Sequence, residues 1–195
     1  MACEGLITAD ILFDCNNPSV GGLETDVLLI NAEDIDIATT TIDGANKIKM
    51  TNLALKSGKT GFLLQGVKQI NGTSFELVKK EFGPDKFKHM FAGVILNPSA
   101  LNKLQATYLS EGGKYVVVVE QKWKGASNAD AFQVYGLKSG LELMTMTANS
   151  KENDGTISFT LESTEGYEEP TVPLTLLETD YATTKTAFNA KFLGS

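Results

Sequence analysis

The sequence YVVVVEQKWKGASNADAFQVYGLKSGLELMTMTANSKENDGTISFTLE, residues 115–162, contains four runs that are rich in alternating apolar and polar side chains. Alternation is typical of β-strands, because successive side chains of a strand point to opposite faces of the sheet. Segments that contain glycine, serine or asparagine separate the runs. We therefore predict four successive antiparallel strands joined by tight turns.

The apolar residues of these strands indicate which faces are buried. Four consecutive valines, at positions 116–119, require that both faces of the first strand are covered. In the second strand, Phe132 and Val134 are predicted to share one face, with Tyr135 on the other. The fourth strand is predicted to point its apolar side chains inward: Ile157, Phe159 and Leu161.

Glycines mark the turns of this region. Residues 138–140, Lys-Ser-Gly, predict a short hairpin loop in which Gly140 adopts a positive φ. Asp154 and Gly155 are the signature of a type I′ turn, whose two central residues both need a positive φ. We therefore place one hairpin after the second strand and another after the third.

Just before this region, the sequence predicts one helix near residues 98–110. Asn97 is a suitable N-cap, Pro98 a suitable first helical residue and Gly112 a suitable terminator. Apolar side chains then recur at helical spacing: Leu101, Leu104, Tyr108 and Leu109. At residues 86–96 both a helix and a strand fit the pattern, and the β-branched end favours the strand.

Further strands are predicted towards the N-terminus. Residues 5–14 predict a strand whose inward face carries Ile7, Ile11 and Phe13, and residues 26–37 predict another. The predicted fold class is therefore mainly β, a β-sandwich or split β-barrel of antiparallel strands. One helix near residues 98–110 flanks it.

A hairpin is also predicted around Asn71-Gly72, the strongest two-residue hairpin signal of the chain. It would pair residues 61–70 with residues 74–82. The sequon Asn71-Gly72-Thr73 is read as part of this turn and not as a glycosylation site.

A chain of 195 residues is long enough for one domain with arms, so we predict a single domain over residues 1–195. An N-terminal arm is predicted at about residues 1–20, and a long loop or hairpin at about residues 38–60. The last segment, about residues 179–195, predicts either a C-terminal helix or an arm that docks on another subunit.

Charge limits the function classes that are open to the chain. Its formal net charge is −7, and all 17 basic residues are lysine. Proteins that bind nucleic acid cluster basic residues against the phosphates, and arginine is their usual side chain for base and phosphate recognition. We therefore predict that the chain is not an ordinary nucleic-acid-binding protein.

The start of the chain, MACEGLITADILFDC, lacks the basic and apolar regions of a secretory signal. No stretch is long and apolar enough to cross a bilayer as a helix. We expect a soluble protein made in the cytosol, with Cys3 and Cys15 as reduced thiols rather than a disulfide framework.

No residue is predicted to be catalytic or to bind a cofactor or a metal. His89 is the only histidine, and the sequence offers no nucleophile or orienting partner for it, so we expect a structural or interface role. Residues 57–60, Ser-Gly-Lys-Thr, resemble the end of a phosphate-binding loop. The earlier glycine of that motif is absent, so a polar turn is predicted.

Some acidic and aromatic residues are candidates for binding sites. The acidic residues lack the spacing of a calcium loop, so a solvated rim is predicted for them: Glu33, Asp34, Asp36, Asp43, Glu168 and Glu169. Trp123 and Tyr135 could stack on a sugar or a base, but core or interface packing is the favoured reading.

The order of the predicted strands and the helix along the chain resembles that of a known family. A strand with a histidine, HMFAGVIL, precedes the helix PSALNKLQATYL and the valine-rich strand GGKYVVVVEQK, and FQVYGLKSGLEL and KENDGTISFTLES follow. Over about residues 86–163, this order resembles the tail-tube proteins of long-tailed phages, especially those of Bacteroides-type hosts. The N-terminal third matches no family pattern.

The resemblance implies a structural protein of the virion, located in the phage tail and assembled in the host cytoplasm. Its first partner would be itself, as a homo-oligomeric ring, a hexamer, that stacks into a tube. Other tail proteins would be partners as well, and DNA would pass through the lumen. Carboxylates on the lumen wall would repel phosphates, so that the duplex slides. The expected contacts between subunits are the N-terminal arm around residues 3–18, the loop at residues 38–55 and the tail from Thr179.

Two other readings stay open. The first is another virion part with a related core, such as a tail terminator, a neck, a baseplate or a head decoration protein. The second is a ligand-binding β-sandwich with Trp123 and Tyr135 as a stacking platform, which predicts a stable monomer. An enzyme would need titratable groups around His89 in a pocket, and we expect none.

Overall fold

The computed structural model describes residues 7–152 and 154–194, which form eleven β-strands and two α-helices. The strands are β1 (Leu23–Asn31), β2 (Thr41–Ile42), β3 (Lys49–Asn52), β4 (Phe62–Gln65), β5 (Gly72–Val78), β6 (Lys86–Ile95), β7 (Tyr115–Gln121), β8 (Phe132–Tyr135), β9 (Glu142–Ala148), β10 (Ile157–Glu162) and β11 (Leu174–Leu176). The helices are α1 (Ala100–Leu109) and α2 (Tyr181–Asn189). The predicted mainly-β class with a flanking helix is confirmed, as is the strand at residues 86–96.

The strands form two sheets. The large sheet has the order β2-β3-β11-β8-β7-β1-β4, and the small sheet has the order β5-β6-β10-β9. β7 lies inside the large sheet, and its valines 116–119 are fully buried. Val117 and Val119 pack with the small sheet, whereas Val116 and Val118 pack with α2 and its surroundings. The prediction that both faces of this strand are covered is confirmed.

The predicted four-stranded meander is wrong, because its strands divide between the two sheets. β7 pairs with β8 in the large sheet, and β9 pairs with β10 in the small sheet. Residues 138–140 are therefore a corner where the chain changes sheets. Gly136 and Gly140, at φ 75° and 76°, allow this corner, and Tyr115 and Leu141 exchange backbone hydrogen bonds of 2.8 Å across it. Covering both faces of β7 requires the chain to leave the first sheet.

The two remaining turn predictions have different outcomes. Asp154 and Gly155 both have a positive φ, as a type I′ turn requires. The predicted hairpin around Asn71 is wrong, because β4 belongs to the large sheet and β5 to the small sheet. Asn71 is buried instead, and its side-chain oxygen accepts a hydrogen bond from the backbone N–H of Val94 at 3.2 Å.

The predicted strand near the N-terminus is also wrong for the part that the structure describes, residues 7–14, which has no regular secondary structure. Gly5 and Leu6 of that prediction lie outside the described residues. Ile7, Ile11 and Phe13 are 82 %, 88 % and 78 % exposed, respectively. Alternation indicates a capacity to form a strand, but a strand also needs a neighbour to pair with.

α1 begins two residues later than predicted. Ser99, in an extended conformation, is the N-cap, and its hydroxyl accepts a hydrogen bond from the N–H of Asn102 at 3.2 Å. Three members of the predicted apolar stripe are exposed: Leu101, Leu104 and Tyr108. The small Ala106 provides the buried contact of the helix. α1 therefore packs on the domain through a narrow face.

α2 decides between the two readings of the C-terminal segment. The segment forms a helix capped by Asp180, and Phe188 and Phe192 are buried against the large sheet of the same chain. The buried carboxylate of Glu120 on β7 accepts hydrogen bonds from Lys124, Lys185 and Tyr181 at 2.6–2.7 Å: Tyr181 and Lys185 belong to α2. Burial alone would raise the pKa of Glu120, but these donors outweigh it and lower the pKa.

Neither helix of the described chain is long and apolar enough to span a membrane.

Candidate assembly surfaces

Four strands lie at the edges of the two sheets: β2 and β4 in the large sheet, β5 and β9 in the small sheet. Within the described residues, each of them has one strand neighbour. A sheet edge presents backbone N–H and C=O groups that can pair with another chain. Several edge residues are apolar and exposed, and they mark candidate contacts between subunits: Phe62, Leu63, Phe75, Leu77 and Met144.

The edge strand β5 carries two apolar side chains on the inner face of the small sheet. Phe75 lies opposite His89 and Leu77 opposite Phe87 in the pairing of β5 with β6. Residues directly opposite each other in an antiparallel pair share a face. Phe75 and Leu77 therefore point to the same side as the buried His89, yet each is 50 % exposed. β5 thus extends beyond the cover that the large sheet provides.

The opposite edge of the small sheet, β9, contains a β-bulge. Thr145 pairs with Thr160 and Leu143 with Leu161, so Met144 lies between two register positions and is exposed. A bulge bends an edge strand and increases its twist. In the part of the chain that the structure describes, the small sheet therefore has free edges on its two opposite sides, and each edge exposes apolar side chains.

The outer face of the small sheet is mainly polar, apart from Val78 on β5 and Met90, Ala92 and Val94 on β6. Residues on this face include hydroxyl and charged side chains: Ser74, Glu76, Lys86, Lys88, Glu142, Thr145, Thr147, Ser158, Thr160 and Glu162. The ammonium group of Lys88 lies 2.6 Å from the carboxylate of Glu162. Three carboxylates and two lysines nearly balance, so this face lacks the excess of positive charge that attracts phosphates.

His89 connects the two sheets. It is buried on β6, its Nδ1 accepts a hydrogen bond from the N–H of Gly136 at 3.2 Å, and its Nε2 donates to the carbonyl of Thr171 at 2.9 Å. Burial lowers the pKa of His89 to about 4. The imidazole is therefore neutral at pH 7 with both nitrogens in use, which is the structural role that the sequence favoured.

The predicted solvated rim is wrong for Asp34, which is buried. Its carboxylate lies 3.0 Å from the ammonium of Lys59 and accepts a hydrogen bond from the side chain of Asn31 at 2.8 Å. Burial opposes ionisation here, but these two donors lower the pKa of Asp34. Lys59 belongs to the predicted polar turn at residues 57–60, which is confirmed by the turn at residues 57–58.

The other acidic residues of that region have local roles. Asp36 and Asp43 accept hydrogen bonds from backbone N–H groups two residues further along, at Ala38 and Ala45, and Glu33 is exposed. In the described part of the chain, no group of three or more His, Cys, Asp or Glu residues could hold a metal ion.

Glu168 and Glu169 are buried, so the solvated rim predicted for them is wrong as well. Glu169 accepts hydrogen bonds from the N–H groups of Ser139 and Lys138 at 2.8 and 3.0 Å, and its burial raises its pKa. A hydrogen bond from Lys80 at 2.6 Å brings the pKa of Glu168 to about 2. The sheet-changing corner needs an acceptor for its N–H groups, and Glu169 supplies it.

Trp123 and Tyr135 do not form the stacking platform that was the less favoured alternative for them. Tyr135 is buried between the sheets, and its hydroxyl donates a hydrogen bond to the side chain of Gln133 at 3.0 Å. Trp123 is partly buried, and its Nε1 donates to the carbonyl of Asn17 at 3.3 Å. Core packing explains Tyr135, and Trp123 holds the base of the N-terminal segment.

A cleft of about 950 Å³ opens between α1, the edge strand β4 and the near end of the small sheet. Its walls combine polar side chains with apolar ones, and the apolar ones include Leu29, Phe62, Leu63, Leu64, Ile95 and Leu109. The amide side chains of Asn102 and Gln105 also line it. Sequence reasoning missed this cleft, because it assigned β4 to a hairpin with β5.

The chain was compared with protein-family models, with curated proteins and with solved structures, and none of the three comparisons returned a match.

Proposed function

We propose that the chain is a structural virion protein of a tailed phage, which assembles with copies of itself into rings, stacked as a tail tube through which DNA passes. The proposal rests on the family resemblance of residues 86–163 and on one observation. Among the described residues, both edge strands of the small sheet have a free edge, and apolar side chains are exposed at both, at Phe75 and at Met144.

Pairing of β5 of one copy with β9 of the next would continue the small sheet from subunit to subunit. Such a contact uses two different surfaces, so it is head-to-tail and closes into a ring if the rotation between copies fits. Closure removes the exposed edges, as in a β-barrel. The half-exposed Phe75 and Leu77 would then be covered by the neighbouring subunit. The resemblance favours a hexamer.

The polar outer face of the small sheet is the natural lining for the lumen in this arrangement. Its hydroxyl groups and its nearly balanced charges, including Glu76 and Glu142, would let the phosphates of DNA pass without strong attraction. The apolar faces of both sheets would stay inside the wall. Neutralising carboxylates on this face and measuring genome delivery tests this part of the proposal, and unchanged delivery would count against it.

Negative-stain electron microscopy of the concentrated, purified protein tests the function. We expect rings or tubes from the natural sequence and none from a Phe75→Lys variant, because a charge would have to be buried at the subunit contact. Leu193→Lys is a matched control, since Leu193 is also exposed but lies on neither edge of the small sheet. A natural chain that stays monomeric at high concentration would refute the proposal.

Two alternatives make different predictions in the same experiment. Another virion part, such as a tail terminator or a neck protein, would give single rings or a different symmetry instead of long tubes. The 950 Å³ cleft favours the ligand-binding module as the candidate from another class. That module predicts a stable monomer.

A further inference from the structure

Residues 7–14 have the sequence of a strand but no sheet to join in the described structure. All eight residues are exposed, and four of them are large and apolar: Ile7, Ile11, Leu12 and Phe13, at 78–88 % exposure. Alternation would place Ile7, Ile11 and Phe13 on one face of a strand and Leu12 on the other. Covering the apolar side chains of such a segment with another protein surface lowers the free energy.

β4 has the opposite property, because it is a sheet edge next to an unfilled cleft that is partly apolar. In the described residues it pairs with β1 alone. Phe62 and Leu64 lie opposite Leu29 and Val27 and share their face, whereas Leu63 lies on the other face of the strand. All three line the cleft, which therefore reaches around the edge of the sheet. A strand added beside β4 would therefore place one set of its side chains next to Phe62 and Leu64 and the alternate set next to Leu63.

We infer that residues 7–14 of one copy pair with β4 of a neighbouring copy as an additional strand of the large sheet, with Ile11 and Phe13 in the cleft beneath α1. Strand addition of this kind combines backbone hydrogen bonds with pockets for alternate side chains. The inference rests on the self-assembly proposed above and assigns the N-terminal arm a receptor on the neighbour.

Charge supports this pairing. The segment 7–20 contains two acidic residues, Asp10 and Asp14, and no basic residue. Among the described residues that line the cleft, Lys191 carries the charge, and the polar remainder is mostly amide side chains. An acidic arm and a cleft with a lysine at its rim attract each other.

The position of the arm's base favours a neighbouring copy over the same chain. Trp123 holds Asn17, and the carbonyl of Gly22 accepts a hydrogen bond from Lys122, so the arm leaves β1 on the side of β7, away from β4. Phe13 is four residues from Asn17, a span of at most about 14 Å. The cleft runs along β4 from Gln65, opposite Asp26, to Phe62, opposite Leu29. Its Phe62 end lies six residues along β1, about 20 Å from the start of that strand.

Binding of a labelled peptide tests the inference directly. The probe is a fluorescent peptide of residues 7–20 with Cys15→Ser, and the receptor is the full chain carrying Ile11→Asp and Phe13→Asp, whose own arm can no longer compete. We expect saturable binding by fluorescence anisotropy. Adding Phe62→Asp to the receptor should weaken binding by about tenfold or more, because a charge replaces an apolar wall of the cleft.

Two matched controls separate the cleft from general stickiness. Leu101→Asp in the receptor changes an exposed residue of α1 that does not line the cleft, so binding should stay within about twofold of the unsubstituted receptor. A peptide with Ile11→Asp and Phe13→Asp should not bind. Absence of saturable binding, or equal losses from Phe62→Asp and Leu101→Asp in receptors with the same melting temperature, would overturn the inference.

The peptide-binding experiment and the electron-microscopy experiment can fail separately. If the natural chain forms rings but the peptide does not bind, the arm does not occupy the cleft and the proposed function stands. If the peptide binds but the natural chain forms no rings, the arm-and-cleft contact stands and the tail-tube function fails.

Discussion

β7 in the large sheet and β5 in the small sheet both carry apolar side chains, but they differ in what covers those side chains. Valines 116–119 of β7 are fully buried between the small sheet and α2. Phe75 and Leu77 of β5 point to the inner side of their sheet, yet half of each side chain is exposed. The core around β7 is therefore completely buried within one chain, whereas the core around β5 is partly exposed to solvent.

In the proposed assembly, this difference separates residues that stabilise the subunit from residues that would contact a neighbouring copy. An apolar side chain contributes to folding in proportion to the apolar area that it loses to water. The residues around β7 lose nearly all of that area within one chain, whereas Phe75 loses about half. The unburied half is what a neighbouring copy can use.

The largest expected effect is on the covered side. Phe132→Ala on β8 should lower the free energy of unfolding by about 3–5 kcal/mol, because Phe132 is buried against Phe188 and the resulting cavity cannot collapse fully. Urea denaturation of dilute protein measures it. A loss below about 1 kcal/mol would mean that the core around β7 is looser than the structure indicates.

The free energy of unfolding should depend on pH through His89, which connects the two sheets. The pKa of His89 is about 4 in the folded chain and near 6.5 when unfolded, so the unfolded chain binds more protons between these values. The stability due to the neutral imidazole is therefore complete above pH 6.5 and is lost as the pH falls towards 4, by about 3 kcal/mol in total.

A His89→Gln variant isolates this effect, because it keeps every carboxyl group that titrates in the same range. The difference in free energy of unfolding between the natural chain and the variant should shrink as the pH is lowered from 7 to 4.5. A difference that stays constant across this range would contradict the buried, neutral histidine.

The sequence predicted best what depends on near neighbours in the chain. The double burial of valines 116–119 and the positive φ values of Asp154 and Gly155 follow from short patterns, and the structure has both. The partners of strands do not follow from such patterns. Residues 138–140 look like a hairpin loop, but the need to cover both faces of β7 turns them into a corner between sheets.

The candidate surfaces could be predicted only in part for the same reason. The strand capacity of residues 7–14 is visible in the sequence, but the edge of β4 that could receive it depends on the non-local pairing of β4 with β1. The burial of Glu169 likewise depends on a turn about 30 residues earlier in the chain. The sequence did contain a signal for this burial, because the N–H groups of the glycine-containing corner at residues 138–140 require a hydrogen-bond acceptor.

α1 shows a similar difference between buried and exposed apolar side chains. α1 leaves Leu101 and Leu104 exposed, so its cap should matter more to its stability than its apolar stripe. Ser99→Ala should cost about 1 kcal/mol of unfolding free energy, because the hydroxyl caps the N–H of Asn102. Leu101→Ala should cost no more than about 0.5 kcal/mol. A larger loss from Leu101→Ala than from Ser99→Ala would show that the stripe packs on its own chain.

A similarly small effect on stability is expected at β5. Phe75→Ala should lower the unfolding free energy of dilute protein by no more than about 1 kcal/mol, since the side chain is half exposed and its contact with Phe87 is edge-on at 6.2 Å. The same substitution should weaken ring formation in concentrated protein, because the neighbouring copy would then lose its proposed contact with the ring of Phe75. Urea denaturation measures the first quantity and sedimentation velocity the second. If Phe75→Ala destabilised the monomer as much as Phe132→Ala and left assembly unchanged, β5 would belong to the buried core, and the distinction between the two strands would fail.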